Sequence, residues 1–391
     1  MENVTHSLLG ATLAEIALPK DATPRQRTLF FITGIVAANL PDADLLYTRI
    51  TPPPLGYLLH HRGHTHTIAG VVIFAALIGL VTLLPSLRAL VKESEPRFGL
   101  LVFAALGSHL LADAWNSYGI RPFWPLDNRW YYGDAVFIAE PWLWGLLGVS
   151  VTMNTRSRRG RAILASALII IPLAAAFIGL VPMLGLIPIA IVVAALNRMM
   201  AGQQPAARAW LSLIALMLFV GGSYTIRNGV RRTAIATNRM SEPRRVVDMV
   251  LNPQPANPLC WNALSVETSG DSMYTRQATI GVGMSLLQFR PCGRARANEW
   301  TPGEAQRLDT LRALMRTDCR VRAWLQFGRV PYVRDGWIAD ARFGGVGRGN
   351  FTAMRVADDG SGRNCPPHLT DWDLPRADVL LHPPPPLPDP R

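Results

Sequence analysis

The sequence contains little lysine and little charge of any kind. Only Lys20 and Lys92 are lysines, so the net charge of +12 comes almost entirely from arginine, and charged residues make up 17% of the chain. The arginines are scattered and several flank hydrophobic segments. This excludes the continuous basic stripe that is typical of a nucleic-acid-binding domain, and we expect no nucleic-acid partner.

The first part of the chain also lacks cysteine. All four cysteines follow the last hydrophobic segment, and they are Cys260, Cys292, Cys319 and Cys365. Their position predicts up to two disulfides in an oxidising compartment, with four free thiols as the alternative. The N-terminus, MENVTHSLLG, has no basic region and no small-residue cleavage signature, so we expect no removable signal peptide and a retained His6.

Long apolar runs before about residue 226 predict a polytopic membrane protein, since about 20 apolar residues span the hydrocarbon core. The candidate helices lie near 6–18, 29–40, 67–87, 98–115, 138–153, 162–180, 183–196 and 209–226. The predicted fold is an all-α membrane bundle of about eight helices over residues 1–226, followed by a small, β-rich α+β domain. That soluble domain is expected over 227–380, with a mobile Pro-rich tail at 381–391.

Basic residues are unevenly divided between the loops. The loops at 19–28, 88–97, 154–161 and 197–208 hold twelve lysines and arginines, whereas the alternate loops hold only Arg49, Arg62, Arg121 and Arg129. The positive-inside rule places the richer loops in the cytoplasm. We therefore expect an inner-membrane protein whose N-terminus and cysteine-containing domain face the non-cytoplasmic side.

Histidine is concentrated where the apolar segments are interrupted. Four of the eight histidines lie in HHRGHTH, at 60–66, and His109 precedes Asp113 by four residues in a predicted helix, which puts both on one face. NLPDAD supplies Asp42 and Asp44 directly after a helix. These histidine and aspartate residues predict a metal or acid–base site. A chance polar loop, a structural His–Asp pair and an Asp cap are the corresponding structural alternatives.

The candidate ligands contain nitrogen and oxygen but no sulfur: His6, Asp42, Asp44, His61, His66, His109 and Asp113. This set suits zinc, with manganese and iron as open alternatives, and seven residues are enough for one or two ions. Some of them can instead orient the histidines that bind the metal.

The motifs THSLLG, NLPDAD, HHRGHTHT, GSHLLADAWNSYGIRPFWP and FIAEPWLW resemble those of the YdjM-like family of membrane-bound, predicted metal-dependent hydrolases. Their order is also similar to the front half of the zinc phospholipase C and zinc nuclease group. That similarity implies one metal held by Asp44, His61, His109 and Asp113, and a second held partly by His6. No histidine occurs between His109 and His368, so His66, Asp42 or Glu140 would have to fill the remaining ligand positions.

The expected function is hydrolysis of a phosphoester or ester, with a lipid or another phosphorylated molecule as substrate and membrane lipids as partners. Arg62 is a candidate for holding a phosphate, and His64 or His66 for general acid. Glu140 has an N-terminal helix charge as its structural alternative. A metal or proton transporter and a non-catalytic membrane scaffold are the competing functions.

In the C-terminal region, Thr301, Pro302 and Glu304 predict the start of a helix that continues through AQRLDTLRALMRT. No catalytic set is evident there, since His368 and His382 are isolated. The domain is expected to cover the site, bind a partner or support the bundle.

Overall fold

The computed structural model describes residues 1–238, 244–282, 292, 299–346, 349–357 and 364–381. The predicted mobile tail, with His382, lies outside the described residues except for Leu381. The helical part contains α1 (Asn3–Ala17), α2 (Pro24–Asn39), α3 (Leu55–His60), α4 (Ile68–Val81), α5 (Pro85–Val91), α6 (Glu95–Ala114), α7 (Pro141–Asn154), α8 (Arg158–Phe177), α9 (Leu186–Met200) and α10 (Pro205–Thr237).

Five described segments are long and apolar enough to cross a membrane: Pro24–Ile50, Pro85–Ala114, Arg158–Phe177, Met183–Met200 and Pro205–Thr237. A sixth passage exists if Leu55–His66 and Ile68–Val81, bent by 66°, act as one broken span. Helices occur at all eight predicted positions. However, α1 and α7 have only 15 and 14 residues, so eight membrane passages are not confirmed.

Although short, α1 has a central place in the bundle, where it packs against α2, α6, α7 and α10. Gly10 of α1 and Gly34 of α2 face each other so closely that a Cβ on either residue would overlap the carbonyl of the other. The two backbones can approach this far only because neither residue has a side chain. This contact fixes the start of α1, with His6, beside the end of α2.

The C-terminal region contains β-sheets, as the predicted β-rich domain requires, and their strands pair antiparallel. The strands β1 (Arg245–Gln254), β2 (Asn257–Ser269), β3 (Ser272–Gly281) and β4 (Thr301–Arg307) pair in that order. They are followed by α11 (Leu308–Thr317), α12 (Cys319–Leu325), a sheet of β5 (Pro331–Arg334), β6 (Trp337–Asp340) and β7 (Met354–Arg355), and α13 (Ala377–Leu380). Cys260 bonds to Cys292 and Cys319 to Cys365, which confirms the two predicted disulfides.

The predicted helix start at Thr301 is wrong. Residues 301–307 form β4 against β3, and the Glu304 amide donates to Thr275 Oγ1 at 2.7 Å, so the helix begins only at Leu308. Pro302 fits this position because it lies on an edge strand, where a missing N–H is tolerated. Pairing with a neighbouring strand outweighs the local capping signal here.

The C-terminal region packs directly on the helical part. Leu55, Leu58 and Leu59 of α3 are buried in one core with Trp324 and Phe327. The helix α10 runs unbroken through the proposed division at residues 226 and 227, and its last turns pack on the first sheet. The C-terminal region therefore packs on α3 and the adjoining histidine-rich loop.

Candidate metal centre

The seven residues predicted as metal ligands meet at one end of the helical bundle: His6, Asp42, Asp44, His61, His66, His109 and Asp113. Asp42 and Asp44 lie in the 3-10 segment Leu40–Leu46, which follows α2 and begins next to Pro41. With three residues per turn, residues two apart point to different sides of such a segment. The two carboxylates consequently reach different partners.

Asp42, His66, His109 and Asp113 form a four-ligand cluster, each offering one atom within 4.8 Å of the others. The two Nε2 atoms of His66 and His109 are 3.0 Å apart. Asp42 Oδ1 lies 3.3 Å and 3.5 Å from them, and Asp113 Oδ2 lies 3.3 Å and 3.6 Å from them. Ligands ~2.1 Å from a tetrahedral zinc ion lie ~3.4 Å from one another, so these spacings fit a single ion.

Several buried polar atoms around the cluster have no hydrogen-bond partner among the residues that the structure describes. They include Asp113 Oδ2 and both ring nitrogens of His6, whose ring stacks on that of His109 with centroids 3.8 Å apart. Both residues are fully buried. Buried polar atoms in proteins are nearly always satisfied, so unpartnered acceptors beside a converging ligand set fit a bound cation.

The ring proton of each cluster histidine is held on the side away from the shared space. His109 Nδ1 donates to the Ala38 carbonyl at 2.7 Å. His66 Nδ1 lies 3.2 Å from Asp44 Oδ2 and 3.0 Å from Thr65 Oγ1. A proton on Nδ1 leaves the lone pair on Nε2, which is the arrangement that a metal ligand requires.

Asp44 accepts hydrogen bonds on both of its oxygens. His61 Nδ1 donates to Oδ1 at 2.9 Å, and the Arg62 amide and Thr65 Oγ1 donate to Oδ2 at 3.0 and 2.8 Å. Asp44, His61 and His66 also form a three-residue group with ligand atoms within 4.8 Å. The phospholipase-like similarity assigned Asp44 and His61 to the ion, whereas the structure brings Asp42 and His66 to His109 and Asp113.

Four of the motifs that carry the family resemblance therefore supply side chains to one centre. Residues 1–183 match the YdjM inner membrane protein family. The resemblance is confirmed for this part of the chain, and the family description agrees with its apolar helices. No curated protein and no solved structure matches the chain significantly. The YdjM match does not extend to the C-terminal sheets, and hydrolysis stays a prediction.

Arg62 lies inside the candidate metal centre and faces Asp113. Its Nη2 donates to Asp113 Oδ1 at 2.8 Å, its Nη1 donates to Asn116 Oδ1 at 3.2 Å, and its guanidinium stacks 4.5 Å above the Tyr118 ring. The Met1 amino group also contacts Asp113 Oδ1. The two terminal nitrogens expected to hold a phosphate are thus already engaged with protein oxygens.

His64 turns away from the four-ligand cluster toward the C-terminal region. Its exposed ring lies 4.6 Å from both Trp124 and Trp372. The buried Arg121 is sandwiched between Trp130 and Trp372, 4.1 and 3.9 Å from their rings. These contacts place His64 where the histidine-rich loop meets the C-terminal region.

Glu140 does not join the four-ligand cluster. Its Oε1 accepts from the Trp142 amide at 3.3 Å and from the Ala256 amide at 2.9 Å. It therefore caps α7 and ties that helix to the turn between β1 and β2. These contacts match the structural alternative for this residue.

Several residues in and around the candidate metal centre were not predicted from the sequence. Asn116 follows Asp113 by three residues, a spacing that could have marked it, and Thr65 lies within the histidine-rich motif itself. The Ala38 carbonyl and Trp372, whose Nε1 donates to the Leu59 carbonyl at 3.0 Å, gave no local signal because their roles depend on tertiary contacts.

Proposed function

We propose that the YdjM part is a membrane-bound, metal-dependent hydrolase whose ion is held by the four-ligand cluster. The observation that carries the proposal is the convergence of four nitrogen and oxygen ligands, three of them buried and Asp42 partly buried, at the spacing of one tetrahedral site. The phosphoester or ester specificity, and a lipid as substrate, rest on the resemblance of the motifs and on the place of the site in a membrane protein.

Two imidazoles and two carboxylates make zinc the first candidate, and manganese or iron is compatible with the same donors. A single ion is favoured over two. The second group depends on Asp44, whose oxygens already accept three hydrogen bonds, and it shares His66 with the first group. We therefore assign Asp44 the role of orienting the rings of His61 and His66 rather than that of a ligand.

When bound, the ion would supply Lewis-acid polarisation of a phosphoryl or acyl oxygen and activation of water. Arg62 holds Asp113 in place through its 2.8 Å hydrogen bond. His6 Nε2, 3.6 Å from Asp113 Oδ1, is placed to hold or accept a proton at the centre.

Access to the cluster is restricted. The side chains of His66, His109 and Asp113 are at most 1% exposed, whereas those of Asp42 and His61 are 9% and 10% exposed. A substrate would approach along the side where Asp42 and His61 lie. The same burial favours a second candidate function, a structural ion that ties α6 to the Leu40–Leu46 segment and the histidine-rich loop.

The deciding experiment measures the metal content of detergent-purified protein and screens hydrolysis of phosphomonoesters, phosphodiesters and esters. His66→Ala is the test variant and His64→Ala its control from the same motif. Turnover that needs metal and is lost only in His66→Ala supports the hydrolase. Bound metal with no turnover, and a folding loss in His66→Ala, favours the structural ion. Protein that binds no divalent metal overturns both.

A further inference from the structure

A cavity separate from the metal centre opens between three helices of the helical part. It has a volume of about 610 Å³, with α7 as its floor and α8 and α9 as its walls. Its lining is almost entirely apolar and includes Gly145, Gly148, Leu168, Ile189, Val193 and Ala194. Both walls belong to segments apolar enough to cross a membrane. The cavity therefore faces the hydrocarbon region.

The floor of this cavity requires small residues. A Cβ on Gly145 would lie 2.9 Å from Val193 Cγ2, and one on Gly148 would overlap Leu168 Cδ1. The glycines allow α8 and α9 to approach α7 while an open slot remains between them. From Pro141 to Met153 the floor is roughly 18 Å long at the rise of an α-helix, slightly more than the ~15 Å of one leaflet.

The volume limits what can occupy the slot. A helix of the same length, ~10 Å across with its side chains, fills on the order of 1,400 Å³, more than twice the space available. A single flexible apolar chain is a better fit. The occupant is thus an acyl chain rather than a helix of this or another protein.

One end of the slot is marked by arginines. Arg161 precedes the lining residue Ala165 by four positions, and Arg198 follows the lining residue Ala194 by four, so each shares a helix face with the slot. Both side chains are exposed. Arg161 donates to the Thr155 carbonyl, at 3.0 and 3.3 Å, and no described carboxylate forms an ion pair with Arg161 or Arg198.

We propose that the slot between α7, α8 and α9 binds one anionic phospholipid, with an acyl chain along Gly145 and Gly148 and its phosphate between Arg161 and Arg198. The positive charge of the two arginines lies at the end of an apolar slot. This arrangement matches a lipid, in which a headgroup phosphate is joined to a hydrocarbon chain. This site is independent of the four-ligand cluster and of hydrolysis. It anchors the α8–α9 hairpin against α7.

The test uses full-length protein in nanodiscs of equal parts phosphatidylglycerol and phosphatidylethanolamine, with retained lipid counted by native mass spectrometry. Ala194→Phe fills the slot, and Ala195→Phe is its control, one residue away, exposed and outside the lining. We expect one retained phosphatidylglycerol per chain in the parent and in Ala195→Phe, and its loss in Ala194→Phe. Equal retention, or equal loss, in the two variants overturns the slot as the binding site.

The headgroup contact is tested with Arg161→Gln and Arg198→Gln, each expected to lower the preference for phosphatidylglycerol about fivefold, the effect of ~1 kcal/mol per basic side chain. Arg25→Gln, an exposed arginine elsewhere, is the control and should change nothing. Circular dichroism establishes that each variant is folded. If all three variants lower the preference for phosphatidylglycerol equally, or if none lowers it, the arginines attract the surrounding lipid only in a general way. Either result contradicts the proposal.

Discussion

His66 and His109 face each other with their Nε2 atoms 3.0 Å apart, although 43 positions separate them in the chain. With Nδ1 of His109 donating to Ala38 and Nδ1 of His66 directed at Asp44, the two lone pairs point into the same space. Two facing lone pairs repel each other unless a cation lies between them. The facing histidine rings therefore predict that a metal ion binds between them.

His66→Ala should remove metal from the purified protein, because it deletes one of the four ligands. We expect the affinity to fall by more than ~100-fold, beyond the 10–100-fold typical of changes outside the ligand shell. Elemental analysis after dialysis measures the effect. His64→Ala should keep the parental stoichiometry, and equal metal content in the two variants would contradict the assignment.

Asp44→Asn and Asp42→Asn separate an orienting carboxylate from a ligand. Asp44 holds the rings of His61 and His66, so its amide variant should weaken metal binding by about 10–100-fold without abolishing it. Asp42 is a direct ligand in our proposal, and Asp42→Asn should have the larger effect. Competition with a chelator of known affinity measures both. A larger loss of metal affinity in Asp44→Asn than in Asp42→Asn would indicate that Asp44 is a direct ligand.

Arg329 is the central charge of the interface between the two parts of the chain. It donates to both oxygens of Asp134 at 2.9 Å and to Asp248 at 2.8 Å, and its side chain is 6% exposed. Arg329→Met removes the ion-pair partner of the buried Asp134 and leaves the partly buried Asp248 with Arg376, so it should cost about 3–5 kcal/mol in the free energy of unfolding.

Arg334→Met is the control for that change, because Arg334 is 57% exposed and pairs with Glu304 at the surface. Its loss should cost no more than about 1 kcal/mol. Denaturant unfolding of both variants in the same detergent gives the comparison. Similar destabilisation by the two substitutions would contradict the proposed importance of Arg329 for the interface.

Acid should weaken the same interface. Burial raises the pKa of Asp248, but the attraction and hydrogen bonds of Arg329 outweigh it and lower the pKa to about 2. An aspartate in the unfolded chain titrates near ~3.9. The stabilisation is therefore complete above about pH 4 and is lost as the pH falls toward 2. Melting temperatures from pH 5 to pH 2.5 should show this loss, and Asp248→Asn should flatten it.

The orientation of the protein in the membrane is a separate prediction from the arginine-rich loops. Thr51 is buried, with its Oγ1 2.8 Å from His60 Nε2, so a reporter cysteine belongs at the exposed Arg49 instead. A membrane-impermeant thiol reagent should label Arg49→Cys in intact cells and leave Ser157→Cys unlabelled. Labelling of Ser157→Cys alone would place the metal centre on the cytoplasmic side.

Much of the helical part could be predicted from the sequence. Apolar runs require helices wherever lipid offers no hydrogen bonds to the backbone, and helices lie at each predicted position. The pair His109 and Asp113 shares a face because of the pitch of an α-helix alone. The chemistry of the site, nitrogen and oxygen without sulfur, likewise follows from residue type. These features depend on neighbours a few residues away.

Only the tertiary structure decided which candidates share one space. The close contact of Gly10 with Gly34 sets His6 beside the end of α2, and the turn into α4 brings His66, with Asp42, to α6. The same packing engages Arg62 with Asp113 and turns Thr301 into a strand residue. Distances between segments dozens of residues apart depend on how side chains interlock in a dense core, and a local pattern does not encode them.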